Sequence, residues 1–232
     1  MGPGAASGLR CASSGRSSMA MKPSHLMVFE PYAPVTSYVW PFSKKGLAYY
    51  KYRGLKWLRF TLARYNRWRS PEGVWRTQAD ADEIQGLYVR MNQAYARGDA
   101  TALSQVLMPS MLKRMVPEMR QTLGMGAVSW KFHGAAQKPR TVHLVGAQIQ
   151  ESDGITTYLQ AIVRVSIKQS MAIYGIAGPG RPASQVGKLL AGNPEEVTTI
   201  SEYVVAQKVM GRHEPWKLCA KIAGPTWPPR DE

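Results

Sequence analysis

Between Lys44 and Arg69 the chain places nine cations, Lys44, Lys45, Lys51, Arg53, Lys56, Arg59, Arg64, Arg67 and Arg69, without one Asp or Glu. Seven aromatic residues are interleaved with them, including Tyr50, Trp57, Phe60 and Trp68. Lys and Arg neutralise phosphates, and aromatic planes stack on bases or settle at the headgroup level of a bilayer. That chemistry suits a polyanionic surface rather than a small molecule. The charge is also local. Residues 1–69 carry twelve basic residues against one acid, Glu30, a net of +11, whereas residues 70–232 carry eighteen against fourteen, a net of +4. The first third therefore reads as an attachment device and the remainder as an ordinary, mildly basic domain.

Groups that could carry catalysis are thinly spread. The four histidines, His25, His133, His143 and His213, form no HxxxH or CxxH spacing, so a metal site has little support. His133 and His143 lie near strand ends and read as surface or hairpin residues. Gly187-Lys188 imitates a phosphate loop, but Pro182 stands where its first Gly belongs and Leu189 where Ser or Thr must hold magnesium. Among the acids, Glu151 and Asp153 fall in a turn, Asp99 suits a helix cap, and Glu202 sits at a strand start. The domain reads as non-catalytic, and no cofactor is implied.

The elements that must position the cations follow from periodicity. On a helix, Leu47, Leu55, Leu58, Leu62 and Tyr65, with Tyr50, Trp57 and Trp68 beside them, occupy a sector of roughly 160°. Lys45, Arg53, Lys56, Arg59, Arg64 and Arg67 fill most of the other side, while Lys51 and Arg69 fall in the apolar sector, where long stems can snorkel. Ser43 suits the N-cap, Gly54 weakens the middle, and Ser70-Pro71 ends the run. Three readings remain open: a helix packed by its apolar face on the following domain, a membrane-surface helix, and an RNA-binding helix.

Residues 1–29 hold Arg10, Arg16 and Lys22, six serines and no acid, the composition of a mitochondrial targeting segment or else a disordered basic tail. Residues 30–43, with Pro31, Pro34 and Pro41, form an extended arm expected to reach out rather than pack. The basic helix takes 44–70, and 71–232 is long enough for one domain with a real core. No charge-free stretch approaches the ~18 apolar residues that span a bilayer, so membrane contact must be peripheral. The contexts of Cys11 and Cys219 do not suggest pairing.

In the domain, Asp80 resembles an N-cap ahead of Ile84, Leu87, Tyr88, Met91 and Tyr95. Gly98 ends that helix and Asp99 caps a short second one. A third runs from Ser110 toward Leu123 with Met111, Met115 and Met119 buried, and with a kink or early break at Pro117. Strands follow at 128–132, 141–150, 156–174, 197–210 and 216–222, joined by hairpin-like turns into an antiparallel sheet. Trp216, Leu218, Ala220 and Ile222 are expected to face inward. Residues 175–195, with five glycines and three prolines, read as a long loop. Helices first and strands afterwards make an α+β domain with the helices packed on one face of a curved antiparallel sheet.

Several segments, in order, carry a resemblance: Val128-Ser-Trp-Lys-Phe132, Lys138-Pro-Arg-Thr-Val142, Gln169-Ser-Met-Ala-Ile-Tyr174, Ser201-Glu-Tyr-Val-Val205, Trp216-Lys-Leu-Cys-Ala-Lys-Ile222 and Trp227-Pro-Pro229. Over about residues 80–229 the chain resembles the mitochondrial large-subunit ribosomal protein numbered forty-five and its fungal relative, the inner-membrane ribosome receptor. The same domain occurs in the matrix-side subunit of the inner-membrane presequence translocase. The resemblance implies a cone of the nuclear-transport-factor type, a place on the matrix face of the mitochondrial inner membrane, and no catalysis. It also implies a role holding the large ribosomal subunit, near its polypeptide exit, to the membrane where proteins are inserted. The partners so implied are mitochondrial large-subunit rRNA and ribosomal proteins, anionic inner-membrane lipid or insertion machinery, and a nascent chain. Two other readings stand beside it: a peripheral adaptor of the import translocase, and a small-molecule-binding protein or enzyme using the cone pocket.

Overall fold

The computed structural model describes residues 32–35, 39–69, 77–151, 154–176, 186–210 and 214–222. Residues 1–29, on which the targeting reading rests, with Cys11 and His25, and also His213, the centre of the 175–195 stretch and Trp227-Pro-Pro229, lie outside them.

Four helices precede four strands: α1 (Lys44–Arg69), α2 (Thr77–Arg97), α3 (Ala100–Val106), α4 (Pro109–Met125), β1 (Ala127–Glu151), β2 (Gly154–Tyr174), β3 (Leu189–Val209) and β4 (Lys217–Ile222). The strands form one curved antiparallel sheet in sequence order, open between β1 and β4. The helix punctuation is chemical. The Ser43 hydroxyl accepts from the Gly46 amide at 2.9 Å and caps α1. The Asp99 carboxylate does the same for Ala102 in α3, and Gly98, at φ 74°, makes the left-handed turn that ends α2.

Two expectations fail at the helices. Asp80 lies inside the first turn of α2, and its carboxylate accepts from the Trp216 indole at 3.0 Å instead of capping. Pro117 does not end α4 early, since the helix runs through it to Met125. The apolar stripe of α2 is as its spacing predicts: Ile84, Leu87, Tyr88 and Met91 are buried against Leu159, Ala161, Val163, Val165, Val204, Trp216 and Leu218. Each such side chain contributes about 1.5–3 kcal/mol through removal from water. This packed cluster fills the space between the helices and the sheet.

The strands run longer than alternation suggests. The two expected early strands are one, β1, which carries four register shifts on its way along β2. Bulges of this kind interrupt the period of two and so divide one strand into two apparent ones. Likewise β3 begins at Leu189, within the expected loop, because the end of β2 supplies it with pairing partners from Met171↔Asn193 to Tyr174↔Leu189. Gly192, at φ 77°, accommodates the irregularity there.

The sheet's other face carries a second cluster of Tyr32, Ile162, Val205 and Cys219, with Tyr52, Tyr203, Ala220 and Ile222 against it. Here the Pro-rich arm departs from expectation, since Tyr32 and Ala33 are buried rather than reaching outward. Ala220 and Ile222 also belong to this face, unlike Trp216 and Leu218. A register shift opposite Val205 and Ala206 leaves Cys219 as an extra residue in β4 and reverses the alternation beyond it.

Candidate functional site

The docking of α1 sets the geometry of the basic region. Tyr49 is buried, and Tyr52, Phe60 and Ala63, which share its side of the helix, lie partly buried against the two clusters. Tyr52 and His143 both pack on Tyr32, with ring centroids 6.1 and 5.4 Å away. His143 is 1% exposed, which corrects its reading as a surface residue: it belongs to the aromatic bed on which the arm and α1 rest. The seat beneath α1 is polar and aromatic, and the tyrosine face of the helix suits it.

The opposite side of α1 is left uncovered. Leu47 is 70% exposed and Leu62 51%, with Leu55, Leu58 and Tyr65 also open, so that one apolar stripe runs the length of the helix. Trp57, 66% exposed, and Tyr50, whose hydroxyl donates to the Val39 carbonyl at 3.2 Å, flank it. Of the cations, Lys44, Lys45, Lys51, Arg53 and Arg59 are exposed, and the Lys56 ammonium lies 5.4 Å from the centre of the Tyr52 ring. Arg64, Arg67, Trp68 and Arg69 belong to the helix, but their side chains lie outside the described residues. Phe60, expected as a contact aromatic, is partly buried against the core and also lines the groove beside the helix.

Between α1 and the sheet lies a groove of about 380 Å³. Arg53 and Lys56 line it from the helix, Arg140 from β1 and Arg164 from β2, with Trp57, Phe60, Val142 and Tyr203 as its apolar walls and no acid lining it among the described residues. Sequence reading missed Arg140 and Arg164. Alternation marks Arg164 only as a residue of the wet face, and nothing local signals that a bulged strand brings Arg140 opposite it.

The residues considered for catalysis are not gathered. Asp99 caps α3 and borders a cleft that neither His133 nor Glu202 lines. His133 shares a hydrogen bond with Ser170 at 2.9 Å. Glu202 lies within β3, not at its start, and accepts from Tyr88 at 2.8 Å while pairing with Lys221 at 3.1 Å. Burial, the Glu202 charge and this hydrogen bond hold the Tyr88 hydroxyl neutral well above its ordinary range. Cys219 is buried and free, its thiol pushed up to about 12 by burial, which leaves it a poor nucleophile. Among the described residues no three His, Cys, Asp or Glu side chains could share a metal ion, and no helix is long and apolar enough to cross a membrane.

Residues 78–223, well over half the chain, match the family model described as the Tim44-like domain. The chain belongs to this family. Tim44-like domains are generally non-catalytic adaptor domains, and membership points to a membrane-associated adaptor role at the mitochondrial inner membrane. No curated protein matches the chain at a significant level. Among solved structures, the intermembrane space region of the chloroplast protein ARC6 is similar at 14% identity and a TM-score of 0.33, over 62% of this chain and 96% of that one. That likeness is too loose to transfer a site or a role. Within the Tim44-like domain the α+β architecture is as the residue pattern predicts. The family match begins in α2 and leaves α1 outside, although α1 contributes one wall of the groove.

Proposed function

We propose that this chain is a mitochondrial adaptor that holds the large ribosomal subunit, near its polypeptide exit, to the matrix face of the inner membrane. Its body is the Tim44-like domain and its attachment device is α1. The observation that carries the reading is the uncovered stripe of Leu47, Leu55, Leu58, Leu62 and Tyr65 on a helix already seated on its own domain through the opposite side. A contiguous apolar surface of this kind, interspersed with Lys44 and Lys51, has the composition of a bilayer-surface contact. The order of segments shared with the ribosomal members supports the choice of cargo, and residues 1–29 have the composition of an import signal.

Two measurements test the two halves of the proposal. The full chain should float with vesicles of phosphatidylcholine containing an anionic phospholipid, less so as salt rises, and Leu58→Asp with Leu62→Asp should abolish flotation. In mitochondrial extracts the protein should co-sediment with large ribosomal subunits. Absence of both behaviours refutes the reading, and flotation together with import-translocase subunits but without ribosomes replaces it with an import adaptor.

A further inference from the structure

The groove between α1 and the sheet has a composition that internal packing does not explain. Arg140 and Arg164 are direct cross-strand partners, and like charges so placed oppose sheet formation. Arg53 enters the same groove from the helix. The acid nearest in sequence to the Tyr203 wall, Glu202, is bonded to Tyr88 and Lys221, and Tyr88 belongs to the core on the helix-covered side of the sheet. At the groove wall the buried hydroxyl of Thr141 has no hydrogen-bond partner among the described residues. Register shifts on both sides of Arg140 and Thr141 re-aim this piece of β1.

Arginine forks converging on one space suit a phosphodiester, whose oxygens take paired N–H donors. The aromatic wall of Trp57 and Phe60 beside them suits the flat face of a base. The groove volume falls within the range of about 300–1,000 Å³ found for small-ligand sites, enough for a nucleotide unit rather than a duplex. Arg53, Lys56 and Phe60 line the groove from the side of α1 opposite its leucine stripe. A bilayer that engages the stripe leaves the groove facing elsewhere, which favours RNA over a lipid headgroup.

We propose that Arg53, Arg140 and Arg164 form a phosphate site for single-stranded RNA, with one nucleotide's base against Trp57 and Phe60. This deepens the proposed function, since it names what the domain side of the attachment helix binds, and it rests on that reading for its biological setting. The chain thereby holds an apolar support on one side of α1 and an RNA strand on the other.

The test is binding of the full chain to a short fluorescein-labelled single-stranded RNA, followed by anisotropy over a salt series. Wild type should bind, and the R140A/R164A pair should weaken binding by about tenfold or more and flatten the salt slope by about 1.4, roughly 0.7 per lost phosphate contact. R53A, at an exposed helix position, should weaken it in the same sense without a change in melting temperature. The charge-matched K113A/R114A pair on α4 should bind as wild type, and RNA should raise the melting temperature of wild type but not of R140A/R164A. Equal loss in the α4 pair, or unchanged binding in the groove variants, overturns the site. So does a groove variant that keeps RNA but no longer floats with phosphatidylglycerol vesicles, because the ligand is then a lipid headgroup. Ribosome co-sedimentation by a wild type whose RNA binding is unchanged in the groove variants sinks only the groove, whereas groove-dependent RNA binding without ribosome association sinks only the tethering role.

Discussion

Arg140 on β1 and Arg164 on β2 stand directly opposite each other in the sheet, two guanidinium groups in one row that continues through Tyr203 on β3 to Ile222 on β4. Cross-strand like charges destabilise, and opposite charges contribute about 0.2–1 kcal/mol. Replacing one, Arg140→Glu, should therefore raise stability by roughly 1 kcal/mol at low salt. Most of the gain should vanish in high salt, because the residue is exposed and screening is effective there. Urea denaturation at two ionic strengths measures this, and an unchanged midpoint at both would show that the pair does not interact.

The two sides of α1 should separate under mutation. Leu58→Asp and Leu62→Asp alter exposed positions and should shift stability by no more than about 0.5 kcal/mol. Phe60→Ala removes a ring packed on the core and should cost about 2 kcal/mol or more. Thermal melts distinguish the two, and a large loss from the leucine variants would mean that the stripe is covered in solution.

Asp80 and Trp216 join the start of α2 to the start of β4 across 136 positions of sequence. Trp216 is 1% exposed, so Asp80→Ala strands its indole N–H and should cost about 1–3 kcal/mol. The same change removes a negative charge from the first turn of α2, worth about 0.3–1 kcal/mol further at the positive end of the helix dipole. Asp80→Asn, which keeps an acceptor, should recover the larger part, as read from denaturant midpoints.

Alkaline pH should weaken the fold through two groups held neutral by burial. The thiol of Cys219 ionises near 9.0 in the unfolded chain but at about 12 in the folded one. Above pH 9 the unfolded state thus loses a proton that the native state keeps, so stability is whole below pH 9 and falls as pH rises from 9 toward 12. Tyr88, raised above 10.0 chiefly by burial and by Glu202, adds to the same decline beyond pH 10. Cys219→Ala combined with Tyr88→Phe should flatten this limb of the stability curve. An identical alkaline slope in the double variant would assign the loss to other groups.

Local pattern was legible wherever one covalent neighbourhood decides the outcome. The stripe of α2, the caps at Ser43 and Asp99, the helix end at Gly98 and the alternation of β2 each depend on residues within a few positions of one another. The second face was less legible. Tyr32 and His143 carry no periodic signal, and the bulge at Cys219 reverses which β4 residues point inward without any local mark.

Residue order alone established an α+β domain behind a basic, amphipathic helix, because periodicity and charge segregation are properties of adjacent residues. It also separated the leucine stripe of that helix from its cations. Which side would meet the domain was a tertiary decision. The arm and the sheet together offer α1 a seat of Tyr32, His143 and Tyr203, and a tyrosine-lined helix face fits that polar, aromatic surface better than leucines do. The leucines are therefore left outward, and cations from α1, β1 and β2, as many as 111 residues apart from Arg53 to Arg164, come to share one groove. Pairing across strands acts over such distances, and no window of neighbouring residues contains it.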